Sequence, residues 1–122
     1  MSNKIKHISK CEKTDKPWGY EVLWAQTDDY VAKLMQIRAG HRMSLQYHKK
    51  KEETLYVMSG FLIVWESEDD KDFSCLKPGD IYHVKPGQIH RFGAETSQDT
   101  MIIEVSTNHL DDVIRIQDDY NR

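Results

Sequence analysis

The chain has 122 residues and a mass of 14.4 kDa, enough for one hydrophobic core and too little for two stable ones. Hydrophobic residues are 39% and charged residues 30%, which excludes disordered and fibrous classes. A net charge of −3 with a pI near 6.0 argues against a nucleic-acid binder, whose domain is usually strongly basic.

The longest apolar run, Phe61 to Trp65, is far short of the roughly 20 residues that span a bilayer. Met1 to Lys10 carries charges but no apolar stretch of the secretory kind. Cys11 and Cys75 are too few for a disulfide scaffold and form no CxxC pair. The expectation is a cytoplasmic protein with reduced thiols, binding neither membrane nor nucleic acid.

In chain order, Gly19–Thr27 reads as a first strand, with Asp28-Asp29 as a turn, and Tyr30–Arg38 as a second that stops at Ala39-Gly40. Met43–His48 follows and enters a charged loop, Lys49 to Glu52. Thr54–Met58 and Phe61–Glu66 flank Ser59-Gly60, the strongest local hairpin signal of the chain. Ser67–Asp72 is a polar turn. Pro78-Gly79 and Pro86-Gly87 bracket a strand at Ile81–Val84, with others at His90–Phe92 and Met101–Ser106. The tail, Asp111–Arg122, is compatible with a frayed strand or a short helix. Many short strands without a long helix avoid exposed edges by closing on themselves, so an all-β barrel or jelly roll is expected. Its interior would hold side chains plus a small ligand.

Gln46 and His48 are two apart on one strand and therefore share a face. Glu53 opens the next strand, and His90 follows the Pro86-Gly87 turn. An amide, a carboxylate and two imidazoles are a donor set for Zn, Mn, Fe or Co. His7, His41 and His109 have no supporting pattern; His83 lies one strand away from the site.

The glycines and prolines fall into register with these donors. Gly40, five residues, Gln46-x-His48, four residues, Glu53, six residues, Gly60 resembles the first motif of the cupin superfamily. Gly79, five residues, Lys85-Pro86-Gly87, two residues, His90 resembles the second, with Lys85 at a usual Pro. Gln46 in place of the usual first His, within Ser44 to His48, resembles the cupin domain of type II phosphomannose isomerases. So do Lys16-Pro17-Trp18-Gly19, Val57-Met58-Ser59-Gly60, Ile103-Glu104-Val105 and the acidic, Arg-containing tail from Asp111 to Arg122. The likeness runs from Lys16 to Arg122, which makes residues 1–15 an N-terminal extension and 16–122 a single cupin jelly-roll domain. Such domains commonly follow a guanylyltransferase, for which 122 residues leave no room.

The resemblance implies a divalent metal, usually zinc, held by Gln46, His48, Glu53 and His90, and interconversion of mannose 6-phosphate and fructose 6-phosphate through a cis-enediol. Both imidazoles must be neutral to ligate, so metal affinity should fall in acid. Lys51 stands where the family has an Arg that meets substrate. Lys49, Lys51, Arg115 and Arg122 are thereby candidates for binding the phosphorylated sugar, the two arginines also for proton handling. Glu104 and His83 are the candidate bases, since one group should reach two neighbouring carbons. Trp18, Tyr20, Tyr56 and Trp65 fit core or sugar-stacking walls better than catalysis. A homodimer is a further implication of the resemblance. The alternatives are another metal-cupin enzyme, such as an oxygenase, and a sugar-binding module without chemistry.

Overall fold

Alternation of apolar and polar side chains produces eleven strands in the computed structural model, which describes residues 4–122. They are β1 (Glu12–Lys16), β2 (Gly19–Gln26), β3 (Val31–Ile37), β4 (Leu45–Tyr47), β5 (Glu53–Ser59), β6 (Leu62–Trp65), β7 (Phe73–Leu76), β8 (Ile81–Val84), β9 (Arg91–Ala94), β10 (Thr100–Ser106) and β11 (Ile114–Gln117). One 3-10 turn, Ile8–Lys10, precedes them, and no α-helix occurs among the described residues. The tail expected as strand or helix supplies β11.

Six strands form one antiparallel sheet in the order β1-β2-β3-β10-β5-β8. The second layer comprises β7-β6-β9 and the pair β11-β4, joined by bridges at Arg42–Gly93 and Gln46–His90. Both layers contribute to one core: Ile37, Leu55, Val57 and Ile102 from the larger sheet meet Leu62, Val64 and Phe92 from the other. This is the all-β single-domain jelly roll expected from the strand pattern.

Two local expectations change. Ser59-Gly60 makes no hairpin, because β5 pairs with β10 and β8 while β6 pairs with β7 and β9. Gly60, at φ 74°, instead carries the chain from one layer to the other. Its absent Cβ would lie 2.3 Å from the Asp99 carbonyl oxygen. The boundary drawn between residues 15 and 16 falls inside β1, whose Glu12 to Lys16 pair along β2. Residues 1–3 of that N-terminal extension lie outside the described residues. Gly19 fits at the start of β2 because any Cβ there would sit 1.8 Å from the Gln36 carbonyl.

Candidate metal centre

Strand geometry turns alternate residues of the large sheet inward, and near one end of the barrel those residues change from apolar to charged. On β10 Ile102 is followed inward by Glu104, on β5 Leu55 by Glu53, and on β3 Met35 by Lys33. Glu53 and Glu104 are 3% and 4% exposed. The facing layer adds His48, just after β4, and His90, just before β9, both buried.

His48, Glu53 and His90 converge, with one ligand atom of each lying within 4.8 Å of the others. His90 Nε2 is 3.4 Å and His48 Nε2 3.8 Å from Glu53 Oε1. The outward nitrogens fix the tautomers. His48 Nδ1 donates to the Asp112 carbonyl at 2.5 Å, and His90 Nδ1 donates to the Gln88 carbonyl at 2.9 Å. A carbonyl only accepts, so each neutral ring carries its proton on Nδ1 and aims an Nε2 lone pair inward. Both Nε2 atoms are buried and lack a hydrogen-bond partner among the described residues. Two such lone pairs and a carboxylate oxygen facing one another form a donor set that could hold a cation. The three residues therefore fit a divalent metal, with backbone carbonyls orienting the rings from behind.

Gln46 lies directly across from His90, their backbones exchanging hydrogen bonds of 3.0 and 2.9 Å. Its side chain lines the same pocket, and the Ser44 hydroxyl donates to Oε1 at 2.7 Å. The oxygen keeps a second lone pair for a ligand role.

Lys51, offered to the substrate from the charged loop, is instead committed to the interior. It is 7% exposed, with Nζ 3.1 Å from Glu53 Oε2 and 3.2 Å from Glu104 Oε2. Burial would lower the ammonium pKa, but Glu104 and Glu53 hold it above the usual lysine range. For Glu53, burial would raise the carboxyl, but its buried neighbours, the Lys51 ammonium among them, hold it well below the usual range. Burial and the neighbouring Glu53 charge push Glu104 up to about 7. Glu104 Oε2 faces Lys51 Nζ at 3.2 Å but accepts no well-aligned hydrogen bond among the described residues.

The tail forms the remaining wall. Asp112 accepts hydrogen bonds from the backbone amides of Lys49, Lys50 and Lys51 at 3.0, 2.7 and 2.9 Å, which hold its carboxyl down at about 2. One residue thus fixes the lysine loop through its side chain and the His48 ring through its carbonyl. Arg115, opposite Gln46 on β11, lines the pocket and forms no ion pair among the described residues. Arg122 also lines it but grips Asp118, at 2.9 and 3.4 Å.

Two expected site residues lie elsewhere. His83 faces away from the barrel interior, with Nδ1 2.9 Å from Thr54 Oγ1 and Nε2 2.8 Å from Glu52. Its neighbour Tyr82 holds the inward position on β8, so a base at His83 is ruled out by strand alternation. Lys49 is exposed and absent from the pocket wall, because Asp112 pins its amide and leaves the side chain outside. Sequence reasoning missed Lys16, Glu21, Lys33 and Asp112. Lys33 was within reach, sharing the inward face with Met35 and Ile37 at two-residue spacing; Asp112 carried no signal.

A protein-family model described as Mannose-6-phosphate isomerase C-terminal matches residues 3–118. No curated protein matches by sequence. Among solved structures, an uncharacterized conserved protein with a double-stranded beta-helix domain from Klebsiella pneumoniae superposes with a TM-score of 0.75 at 18% identity, covering 93% of this chain and 97% of that one. KdgF from Halomonas sp. gives 0.70 at 20% identity, covering 83% and 91%. A sugar phosphate isomerase of the cupin superfamily from Silicibacter pomeroyi gives 0.69 at 19% identity, covering 84% and 74%. These likenesses establish the cupin fold.

Proposed function

Because the chain belongs to the family of mannose-6-phosphate isomerase C-terminal domains, we propose that it is a metal-dependent isomerase interconverting mannose 6-phosphate and fructose 6-phosphate or a close relative. The observation carrying this reading is the convergence on Glu53 of His48 and His90 nitrogens that have no partner among the described residues, beside buried Glu104. His48, Glu53 and His90 would hold the metal, with Gln46 as fourth donor. Zinc suits two imidazoles and a carboxylate, and Mn, Fe or Co could take the same set. When bound, such a cation polarises a substrate carbonyl oxygen and stabilises the negative charge that develops on it.

The proton work falls to Glu104. Its Oε2 takes the proton from C2 of the aldose and returns it to C1, while a second proton passes from O2 to O1. One C–H bond breaks and another forms, so composition is unchanged. Lys51 fixes both carboxylates from between them and keeps Glu53 turned towards the imidazoles. Arg115, opposite Gln46 and without an ion pair among the described residues, would hold a substrate oxygen at the reacting end. Arg122, committed to Asp118, takes a supporting place at the rim.

In this reading the protein works in the cytoplasm as a homodimer. Two free cysteines suit a reducing compartment. The outer face of the large sheet exposes Tyr56, Met58, Ile81 and Val105, apolar surface that a second copy would cover. Among the described residues, no helix is long and apolar enough to cross a membrane.

The test is metal-replete protein supplied with mannose 6-phosphate and a coupled readout of fructose 6-phosphate. Turnover abolished by EDTA and by His48→Ala, and lowered about 100-fold or more by Glu104→Gln, supports the reading. Sugar binding without turnover would leave a non-catalytic module; oxygen uptake by iron-loaded protein would indicate an oxygenase.

A further inference from the structure

The lysine loop that sequence offered for the phosphate is not available to it. Lys51 is held by two carboxylates, and Lys49 lies outside the pocket. Arg122 is engaged by Asp118. A different pair of cations lines the pocket wall. Lys33 on β3 and Lys16 on β1 share the single carboxylate of Glu21, at 3.1 and 3.8 Å. The Lys33 side chain is only 12% exposed, so its charge is weakly screened.

Position adds to charge. Lys33 is directly opposite Glu104 across the β3–β10 ladder, and Glu53 lies on the next strand, β5. Along this inward face the charges alternate: Glu53, Lys51, Glu104, Lys33, Glu21, Lys16. The space between Lys33 on β3 and Lys16 on β1 lies over β2, two strand spacings or roughly 10 Å from Glu104 on β10, which an open six-carbon chain with a terminal phosphate can bridge. A sugar phosphate laid along that row would set its reacting carbons at Glu104 and its far end between Lys33 and Lys16.

We infer that Lys33, supported by Lys16 and oriented by Glu21, seats the phosphomonoester end of the substrate. The inference rests on the isomerase reading for the rest of that molecule and for its direction in the pocket. The dianion enters between the two ammonium groups, which are bridged by Glu21. Lys33 is thus a specificity residue, selecting phosphorylated over free sugars.

The test is calorimetry and steady-state kinetics on metal-loaded protein, with mannose 6-phosphate, mannose and inorganic phosphate as probes. Lys33→Met should weaken mannose 6-phosphate binding at least tenfold, abolish competition by inorganic phosphate, and leave mannose binding and metal stoichiometry unchanged. Lys33→Arg should restore most of the loss. Should Lys33→Met fail to fold, Lys16→Met should show a loss of the same kind, about threefold. Mannose 6-phosphate binding unaltered in these variants, equal loss of mannose, or wild-type protein that does not prefer the phosphorylated sugar would overturn the seat. Lys33-dependent binding without isomerisation would retain the seat and remove the isomerase reading. Isomerisation with KM unchanged in Lys33→Met would do the reverse.

Discussion

The two ends of the barrel interior are built from the same strands yet obey opposite rules. At the closed end Ile37, Val57 and Ile102 are fully buried and pack with Leu62 and Val64. One or two inward positions further along, the same strands present Lys33, Glu53 and Glu104, nearly as deeply buried. Burying apolar area stabilises the first end at about 25 cal/mol per Å². Burying charges opposes folding at the second unless each finds a partner. The pocket end therefore spends stability to hold a charged array in place, and the apolar end supplies what it spends.

That contrast can be broken from either side. Lys51→Met would leave Glu53 and Glu104 buried without their shared cation, so urea unfolding of metal-free protein should show a loss of about 3–5 kcal/mol. A neutral or stabilising result would mean the array behaves like ordinary core. Ile102→Ala at the closed end should cost about 2–5 kcal/mol through lost burial and a cavity, while metal stoichiometry by mass spectrometry stays at the wild-type value. Saturating metal at about 100 times its Kd should raise wild-type stability by about 2.7 kcal/mol, and thermal melts of His90→Ala should show no such gain.

The smallest effect concerns the tail that walls the pocket. Arg42 donates to Asp119 at 2.6 and 3.1 Å, and buried Arg91 donates to the Gln117 carbonyl at 3.1 Å. The hydrogen bond from Arg42 holds the Asp119 carboxyl below the usual range. A depressed folded value stabilises above the unfolded pKa, about 3.9, and the gain disappears as pH falls through the folded value. Asp119→Asn should accordingly cost under about 1 kcal/mol at neutral pH. Melting curves of the two proteins should converge in acid; a constant gap would deny the charge pairing.

The all-β fold was legible because alternation and turn residues mark the strands whose one face is buried. It failed at β1 and β7, where almost every side chain is exposed and no alternation exists to read. The Ser59-Gly60 signal reported a turn correctly but not its partners, since turn chemistry is local and strand pairing is not. At the site, the meeting of Gln46, His48, Glu53 and His90 was readable from their register with the cupin-like glycines and prolines, because residues at strand ends keep phase with the turns. The burial of Lys51 was not, because three successive lysines look solvated until Glu53 and Glu104 are placed around one of them. Likewise His83 and Tyr82 are neighbours in sequence, and only strand pairing decides which points inward.

In the proposed function His48, Glu53 and His90 would surround one divalent ion. X-ray absorption at the zinc edge of zinc-loaded protein tests it most directly, read with metal stoichiometry. One zinc per chain is expected, with two imidazole ligands and oxygen donors completing the shell, and that site is expected to be lost in the His48→Ala/His90→Ala double variant. Zinc retained in the double variant with an unchanged spectrum, or a wild-type spectrum without imidazole scattering, would contradict it.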